Sequence, residues 1–529
     1  MDNTQNVFTA TPSDRVDGNT FDLSHSHKFT CNMGELIPHI CLDVVPGDKF
    51  TFNLETMVRL APMIAPLMHR VNVTTHLFFV PNRIIWTDWE KFISGDETIE
   101  WASTLINDEA DYPIGLGSLG DYLQYPSRGE YKTQASVLPL AAYFKIFDEY
   151  YRDENLVSET FVEVFSSDDN EEYRIKASEP CLKRAWAHDY FTSALPFAQK
   201  GSPVLLPLLN DMEVDVKIKE VLTGLTQTLL NEDGTPWTGT NALQSVGGGN
   251  NWLASSGSPN KRYLDPNGTL FVDVNSEAVT INTLRRAIKL QEWLERNARG
   301  GTRYTELIMS HFGVRGSDAR FQRPEYIGGY KQTLGISEVV GTSLTGLNES
   351  EETPYTPIGT LAGHAIAVAD GFAEFYAEEH GYIIGIFNVQ PVPEYMNGIH
   401  RHLTRKTFLD YYWPSFAHIG EQAILAKELF VEEDPVDQEV EWGYIPRYSE
   451  YKYWPSRVSG EFKGSLDFWH MARKFSNSSI PVLNDEFITA NPTKRIFAVE
   501  DVEVNAVYVH HYTGCLAYRK MPVFGEPTL

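Results

Sequence analysis

Six arginines crowd the stretch ERNARGGTRYTELIMSHFGVRGSDARFQRPEYIGG, Glu295 to Gly329: Arg296, Arg299, Arg303, Arg315, Arg320 and Arg323. Guanidinium groups present rigid forks of donors that suit phosphate and carboxylate alike. Two chemistries therefore compete for this stretch, an anion cradle and a set of ties to Asp and Glu. The whole chain carries 44 Lys+Arg against 71 Asp+Glu, a net charge of −27, so carboxylates are the abundant partner. Such a chain has no general affinity for nucleic acid, and only a local basic face would bind it.

Other groupings carry weaker chemistry. GLGSLG (Gly115–Gly120) matches GxGxxG, but a dinucleotide cradle needs an apolar strand before it and a helix after it. EADYPI and DYLQYP supply neither. His25 and His27 lie two apart, which on a strand puts both rings on one face. Without a third ligand at a recognisable spacing they read as hydrogen-bonding histidines at an interface, as do His510 and His511. Acidic runs at Ser166–Glu172 and Val431–Glu441 lack the spacing of a calcium loop and read as solvated loops. Asp467 near Trp469 suits a glycan-binding or glycan-cleaving protein, yet nothing else supports catalysis. Two aromatic strings, FLDYYWPSFAHIGEQ (Phe408–Gln422) and YSEYKYWPSRVSGEF (Tyr448–Phe462), mix rings with cations. They suit stacked bases or a subunit interface, and the interface is favoured. No cofactor, no metal and no enzymatic activity are expected.

The elements that must position these residues are legible in part. KFTFNLETMVRL, from Lys49, alternates with period two, placing Phe50, Phe52, Leu54, Val58 and Leu60 on one face. PGD (Pro46–Asp48) supplies the turn before it. RVNVTTHLFFVPN repeats the signal through Val71, Val73, Leu77 and Phe79, and strands return in GYIIGIFNV from Gly381 and RIFAVEDVEVNAVYV from Arg495. LPLAAYFKIFDEYY and INTLRRAIKLQEWLERNARGG carry helical stripes, the first through Leu140, Phe144, Phe147 and Tyr151. Gly300–Gly301 ends the second as a left-handed C-cap. TRYTELIMSHF then predicts a short helix before an arginine-bearing turn that closes at Pro324. Strands near both termini, with irregular sequence between, argue for an antiparallel fold and against a βαβ repeat. Residues 1–24 read as an arm, and the Gly/Ser/Asn-rich stretch 210–278 as a surface excursion.

An aromatic content of 12% leans toward β structure and interfaces. Four cysteines (Cys31, Cys41, Cys181, Cys515) without a CxxC pair read as buried thiols of a reducing compartment. No secretory signal and no apolar run of about 18–20 residues is visible, so no membrane partner is expected.

Longer strings are specific enough to compare with a family. They are Phe21–Gly95, DYFTSALPFAQKGSPVLLP (Asp189–Pro207), Ile281–Gly329, DYYWPSFAHIGEQAI (Asp410–Ile424), EYKYWPSRVSGEFKGSLDFWHMARKF (Glu450–Phe475) and RKMPVFGEP (Arg519–Pro527). In these the chain resembles the major capsid protein of gokushovirus-type microviruses (Microviridae), small icosahedral phages with single-stranded DNA.

The resemblance implies a mainly β fold: an eight-stranded antiparallel viral jelly-roll barrel with long loop insertions and a few helices, spanning 25–529. It implies assembly through pentamers into a T=1 shell around circular single-stranded DNA. Expected partners are a small basic DNA-binding protein, the packaged DNA, an internal scaffolding protein and a host surface glycan or receptor. The expected place is the virion, assembled in the bacterial host cytoplasm. The family carries a protrusion at the threefold axis, and 210–278 is the candidate, with Gly247, Asn251, Trp252 and Tyr263 as host contacts. Arg299, Arg303, Arg320 and Arg323 then read as assembly contacts, with DNA phosphate at the shell interior as the competing role.

Overall fold

The computed structural model describes residues 17–524 apart from 107–111, 128–131, 168–169, 203, 302, 341–360, 432–438, 476–480, 500, 502–503 and most of 205–280, where only 216–218, 244–245, 252–254 and 270–272 are described. By its internal contacts the chain divides into two units, residues 1–200 with 297–529, and residues 201–296.

The strands of the two large sheets of the first unit are, in chain order, β1 (Asn19–Asp22), β2 (His25–Cys31), β3 (Ile37–Val44), β4 (Lys49–Leu60) and β5 (Val71–Pro81). After a long interval come β6 (Glu325–Thr333), β7 (Gly335–Val340), β8 (Leu361–Tyr376), β9 (Gly381–Pro391) and β10 (Val507–Arg519). Three helices matter here: α1 (Leu138–Tyr150), α2 (Ile281–Gly300) and α3 (Tyr304–Phe312). The strands form two antiparallel sheets. One runs β1–β10–β4–β8–β7, with β2 also paired to β10, and the other runs β6–β5–β9–β3. The fold is mainly antiparallel β with a few helices.

The alternation of β4 is realised: Phe50, Phe52, Leu54, Val58 and Leu60 are buried while Lys49, Asn53, Glu55 and Arg59 are exposed. A cluster between the sheets joins Phe50, Phe52 and Leu54 to Ile40, Leu77, Phe79, Ile383 and Cys515. The turn before β4 uses Gly47 at φ +93°, in the left-handed region that favours glycine. The Asp48 carboxylate accepts from the Val45 amide at 3.1 Å and pairs with Arg519 Nε at 3.1 Å. A side chain of β10 therefore pins the turn that starts β4.

Two expectations need correction. The strand expected from Arg495 begins only at Val507. Ile496 and Phe497 are buried, but in a turn whose contact with the sheet edge is one bridge, Phe497 to Met63. Their alternation reflects a loop that plugs the core, a pattern that periodicity cannot tell from a strand. For β5, the apolar face reads correctly, but Phe78 and Val80 on the other face are buried too. Helix α1 covers that face, with Tyr150 against Phe78 at a ring separation of 4.7 Å. The α1 stripe is likewise incomplete, because Tyr143 and Ile146 are buried as well and the helix is enclosed on nearly all sides.

Polar residues interrupt the space between the sheets. His39 of β3 and His511 of β10 are 3% and 0% exposed, with ring centroids 4.0 Å apart. Thr56 Oγ1, on the buried face of β4, lies 2.6 Å from His511 Nδ1 and also contacts the Tyr330 hydroxyl. His511 Nε2 and both ring nitrogens of His39 have no partner among the described residues. Gly385 makes room for the pair, since a Cβ there would stand 2.7 Å from His39 Nε2. His25 and His27 share a face of β2, as their spacing predicts, and His27 Nδ1 lies 3.2 Å from the His39 carbonyl oxygen.

Burial holds the His511 ring neutral down to about 3, helped by His27, His25 and His510. His39 is also pushed well below the ordinary histidine value, by burial first and then by His511. Between pH 6.5 and about 3 the unfolded chain thus binds protons that the folded chain refuses. Stability is then highest above pH 6.5 and falls on acidification by about 1.4 kcal/mol per pH unit for each such histidine. Urea unfolding of unassembled subunits between pH 6.5 and 4 should show this slope, and His511→Asn should lower it by about one proton. An unchanged slope in the variant would contradict the assignment.

Candidate functional site

The arginine stretch is built from two helix ends. Helix α2 stops as Gly301 turns to φ +90°, its amide donating to the Asn297 carbonyl at 3.2 Å. Helix α3 follows and closes at Gly313, φ +68°, whose amide donates to the Met309 carbonyl at 3.0 Å. The stop at Gly300–Gly301 matches the sequence reading.

Each arginine then has a definite place. Arg299 pairs with both carboxylate oxygens of Glu421 and donates from Nη1 to the Ser193 carbonyl at 3.1 Å. Arg303 Nη2 donates to the carbonyls of Asp148 (2.8 Å) and Arg152 (3.1 Å), at the C-terminal end of α1, where a cation complements the helix dipole. Its Nη1 donates to Glu306 Oε1 at 3.0 Å. Arg323 lies over the Tyr150 ring at 4.5 Å, donates to Thr305 Oγ1 at 3.2 Å and pairs with Asp318 at 3.1 Å. Tyr150 in turn donates to the Pro324 carbonyl at 2.5 Å. Arg299, Arg303 and Arg323 thus fix loops in register within one subunit. Arg320 is exposed on a single turn and has no ion pair among the described residues.

Behind α3 lies a cavity of about 690 Å³ lined by Tyr151, Arg184, Arg315, Phe321 and Tyr326, among others. Arg184 sits over the Tyr151 ring at 5.5 Å and donates to Thr74 Oγ1 at 3.2 Å. Burial first, then the Arg184 charge, pushes the His76 ring down to about 4, so it is neutral near pH 7. The two acids at this cavity, Glu306 and Asp318, are each tied to an arginine. The arrangement is suited to holding chain segments, and it offers no free acid and base to a substrate.

The two aromatic strings, separate in the chain, meet in space. The Tyr412 amide donates to the Tyr451 hydroxyl at 3.3 Å, and the Tyr448 hydroxyl donates to the Tyr411 carbonyl at 3.4 Å. Arg405 bridges the strings, 5.0 Å from the Tyr411 ring and 4.4 Å from that of Tyr451.

The weaker motifs resolve into local structure. In GLGSLG the Gly117 amide donates to Asp121, and Ser118 caps a single helical turn, with no strand among residues 112–118 immediately before it. Asp467 is ion-paired with Lys474, a contact that holds its carboxyl below the usual range and unsuited to donating a proton near pH 7. Glu171 and Glu172, read as part of a solvated loop, instead open a helix (Glu171–Ser178), where carboxylates favour the positive end of the dipole. Among the described residues no group of three or more His, Cys, Asp or Glu is placed to hold a metal ion, and no helix is long and apolar enough to cross a membrane. Of the expected host contacts, Trp252 lies in a short strand paired with Gln244–Ser245, while Gly247, Asn251 and Tyr263 lie outside the described residues.

Sequence reasoning found the arginines and missed most partners. Glu306, three residues after Arg303, was findable as an acid in the first turn of a helix. Glu421, Ser193 and the carbonyls of α1 lie far away in sequence, with no local signal.

Residues 9–529 match the family model described as capsid protein (F protein). The chain is 34% identical to capsid protein VP1 of Chlamydia phage 1, over 99% of this chain and 98% of the relative. It is 33% identical to capsid protein VP1 of Bdellovibrio phage phiMH2K, over 99% and 97%. It is 29% identical to capsid protein VP1 of Spiroplasma virus 4, again over 99% and 97%.

Arg303→Ala and Arg323→Ala should each lower the unfolding free energy of the subunit by about 1–3 kcal/mol, since each strands partly buried acceptors. Arg320→Ala should stay within about 0.5 kcal/mol. Urea midpoints of the three variants decide the point, and equal effects would contradict the assignment.

Proposed function

The chain belongs to the phage capsid protein (F protein) family, and from that premise we propose that it is the shell subunit of a gokushovirus-type phage. It assembles through pentamers into a T=1 icosahedral shell around a circular single-stranded DNA genome. The observation that carries this reading is the match to capsid proteins from residue 9 to residue 529, with no large part of the chain left over for another task.

The finer fold we assign is the eight-stranded jelly roll. What supports it is nested pairing. In a jelly roll an antiparallel ribbon is folded over, so that the first strand pairs with the last, the second with the next to last, and so inward. Here β2 pairs with β10, β3 with β9, β4 with β8 and β5 with β6, all antiparallel. The eight strands fall four to each sheet. Between β5 and β6 lies the long insertion that carries all three helices and residues 210–278.

Charge supports a division of labour. A subunit with net charge −27 cannot neutralise packaged phosphate, so a small basic DNA-binding protein fits as a partner, with an internal scaffold during assembly. The particle is assembled in the bacterial cytoplasm, and the excursion 210–278 is its host-contact protrusion, through Gly247, Asn251, Trp252 and Tyr263.

Sedimentation and electron microscopy of the expressed protein, alone and with its neighbouring gene products, test the function. Closed particles of megadalton size are expected, and a well-behaved solitary subunit of 59.9 kDa under all these conditions would overturn the reading. Deleting 247–268 should leave shells intact and abolish adsorption to host cells. Unchanged adsorption would remove the protrusion's role.

A further inference from the structure

The surface formed by residues 403–417 and 447–463 is anomalous for this chain. In a protein of net charge −27 these two stretches hold six lysines and arginines against three carboxylates. Of the six cations only Lys406 has a carboxylate partner among the described residues, Glu439 at 3.1 Å. The Nε atoms of Arg405 and Arg447 are buried and lack any hydrogen-bond partner among the described residues. Large rings stand exposed around them: Phe408 at 69%, Trp413 at 48%, Tyr451 at 50% and Trp454 at 56%. An exposed apolar surface of this density, studded with unpaired charge, has the make-up of a contact surface in a single subunit.

The geometry points to a second copy of this chain as the occupant, docking an acidic surface here. This rests on the shell-subunit reading above. Two observations select the occupant. The first is charge: the excess cations complement a chain that is strongly acidic elsewhere. The second is that four of the rings, Tyr411, Tyr448, Tyr451 and Trp454, already carry a partner on one face. Arg405 lies over Tyr411 and Tyr451, Arg447 lies over Tyr448 at 4.9 Å, and His400 stacks on Trp454 with centroids 4.2 Å apart. A nucleic acid strand needs open faces on which bases stack. At the exposed rings among these, Tyr411, Tyr451 and Trp454, the edges, hydroxyls and guanidinium rims point outward, and these suit protein carboxylates and apolar side chains. Protonation of His400 is disfavoured by burial first and then by His402, with Arg405 and Arg457 adding to the effect, so its stack on Trp454 adds apolar surface near pH 7.

The test is a double charge reversal, Arg457→Glu with Lys463→Glu, at two exposed side chains without an ion pair among the described residues. Subunits of the variant should keep the wild-type urea midpoint and near-ultraviolet circular dichroism, while the yield of shells by sedimentation falls at least tenfold. A wild-type shell yield would overturn the proposal. So would a normal yield of shells with reduced DNA content, which would assign the surface to nucleic acid.

Hydroxyl-radical footprinting of the wild-type protein before and after assembly makes the test independent of whether the variant folds. Trp413, Tyr451 and Trp454 should become protected in shells, and equal reactivity in both states would overturn the proposal. Failure of the wild-type protein to form shells at all is a different result and would remove the shell-subunit reading itself.

Discussion

The structure depends on where β10 lies. This strand takes β1 and β2 along one edge and β4 along the other, so it is the inner strand that joins the residues nearest the N-terminus to the body of the sheet. Its Cys515 and Ala517 complete the cluster around Phe50, Phe52 and Leu54, and its Arg519 holds the Asp48 turn. Without it, β4 presents an unpaired edge of twelve residues, a template for wrong pairing. Because the pairings are nested, nearly every ladder joins residues far apart in sequence. Such a topology folds slowly and closes cooperatively.

Given that scaffold, the insertions have something rigid to hang from. Helix α1 lies against β5, and its C-terminal end presents the carbonyls that Arg303 reads. Arg323 and Tyr150 then tie the segment preceding β6 to the same helix. These cations are expensive to leave unpaired when partly buried, and each is matched by a carboxylate or a carbonyl. Among the described residues Arg315 at the cavity behind α3, Arg320 on its exposed turn, and Arg405, Arg447 and Arg457 on the aromatic surface have no carboxylate partner. In an acidic shell protein, paired arginines would organise the subunit and unpaired ones would organise its neighbours.

How much of this was legible follows from the range of each interaction. Local signals carried β4, α1, α3 and the glycine stop of α2, because alternation, helical stripes and a left-handed C-cap are written within a dozen residues. The plug at Ile496–Phe497 defeated the period-two reading because a buried loop can alternate like a strand. The second buried face of β5 escaped notice because its cover, α1, follows after an intervening stretch of chain. Thr56, an innocuous polar residue in an apolar series, is the one local hint of the histidine pair at the centre of the fold. Its other half, His39, gives no sign in sequence. The arginines were conspicuous by density, but Glu421 and Ser193 could only be found in space. Family identity came from long strings that no periodicity explains.

Native-state hydrogen exchange tests the dependence on β10 most directly. If this strand closes the fold, the hydrogen-bonded amides of Val507–Arg519 and of the facing Lys49–Leu60 should be the slowest to exchange in the molecule and should exchange together, since they open only when the sheet does. Exchange of the β10 amides as fast as those of the surface helix α3, while β4 stays protected, would contradict the account.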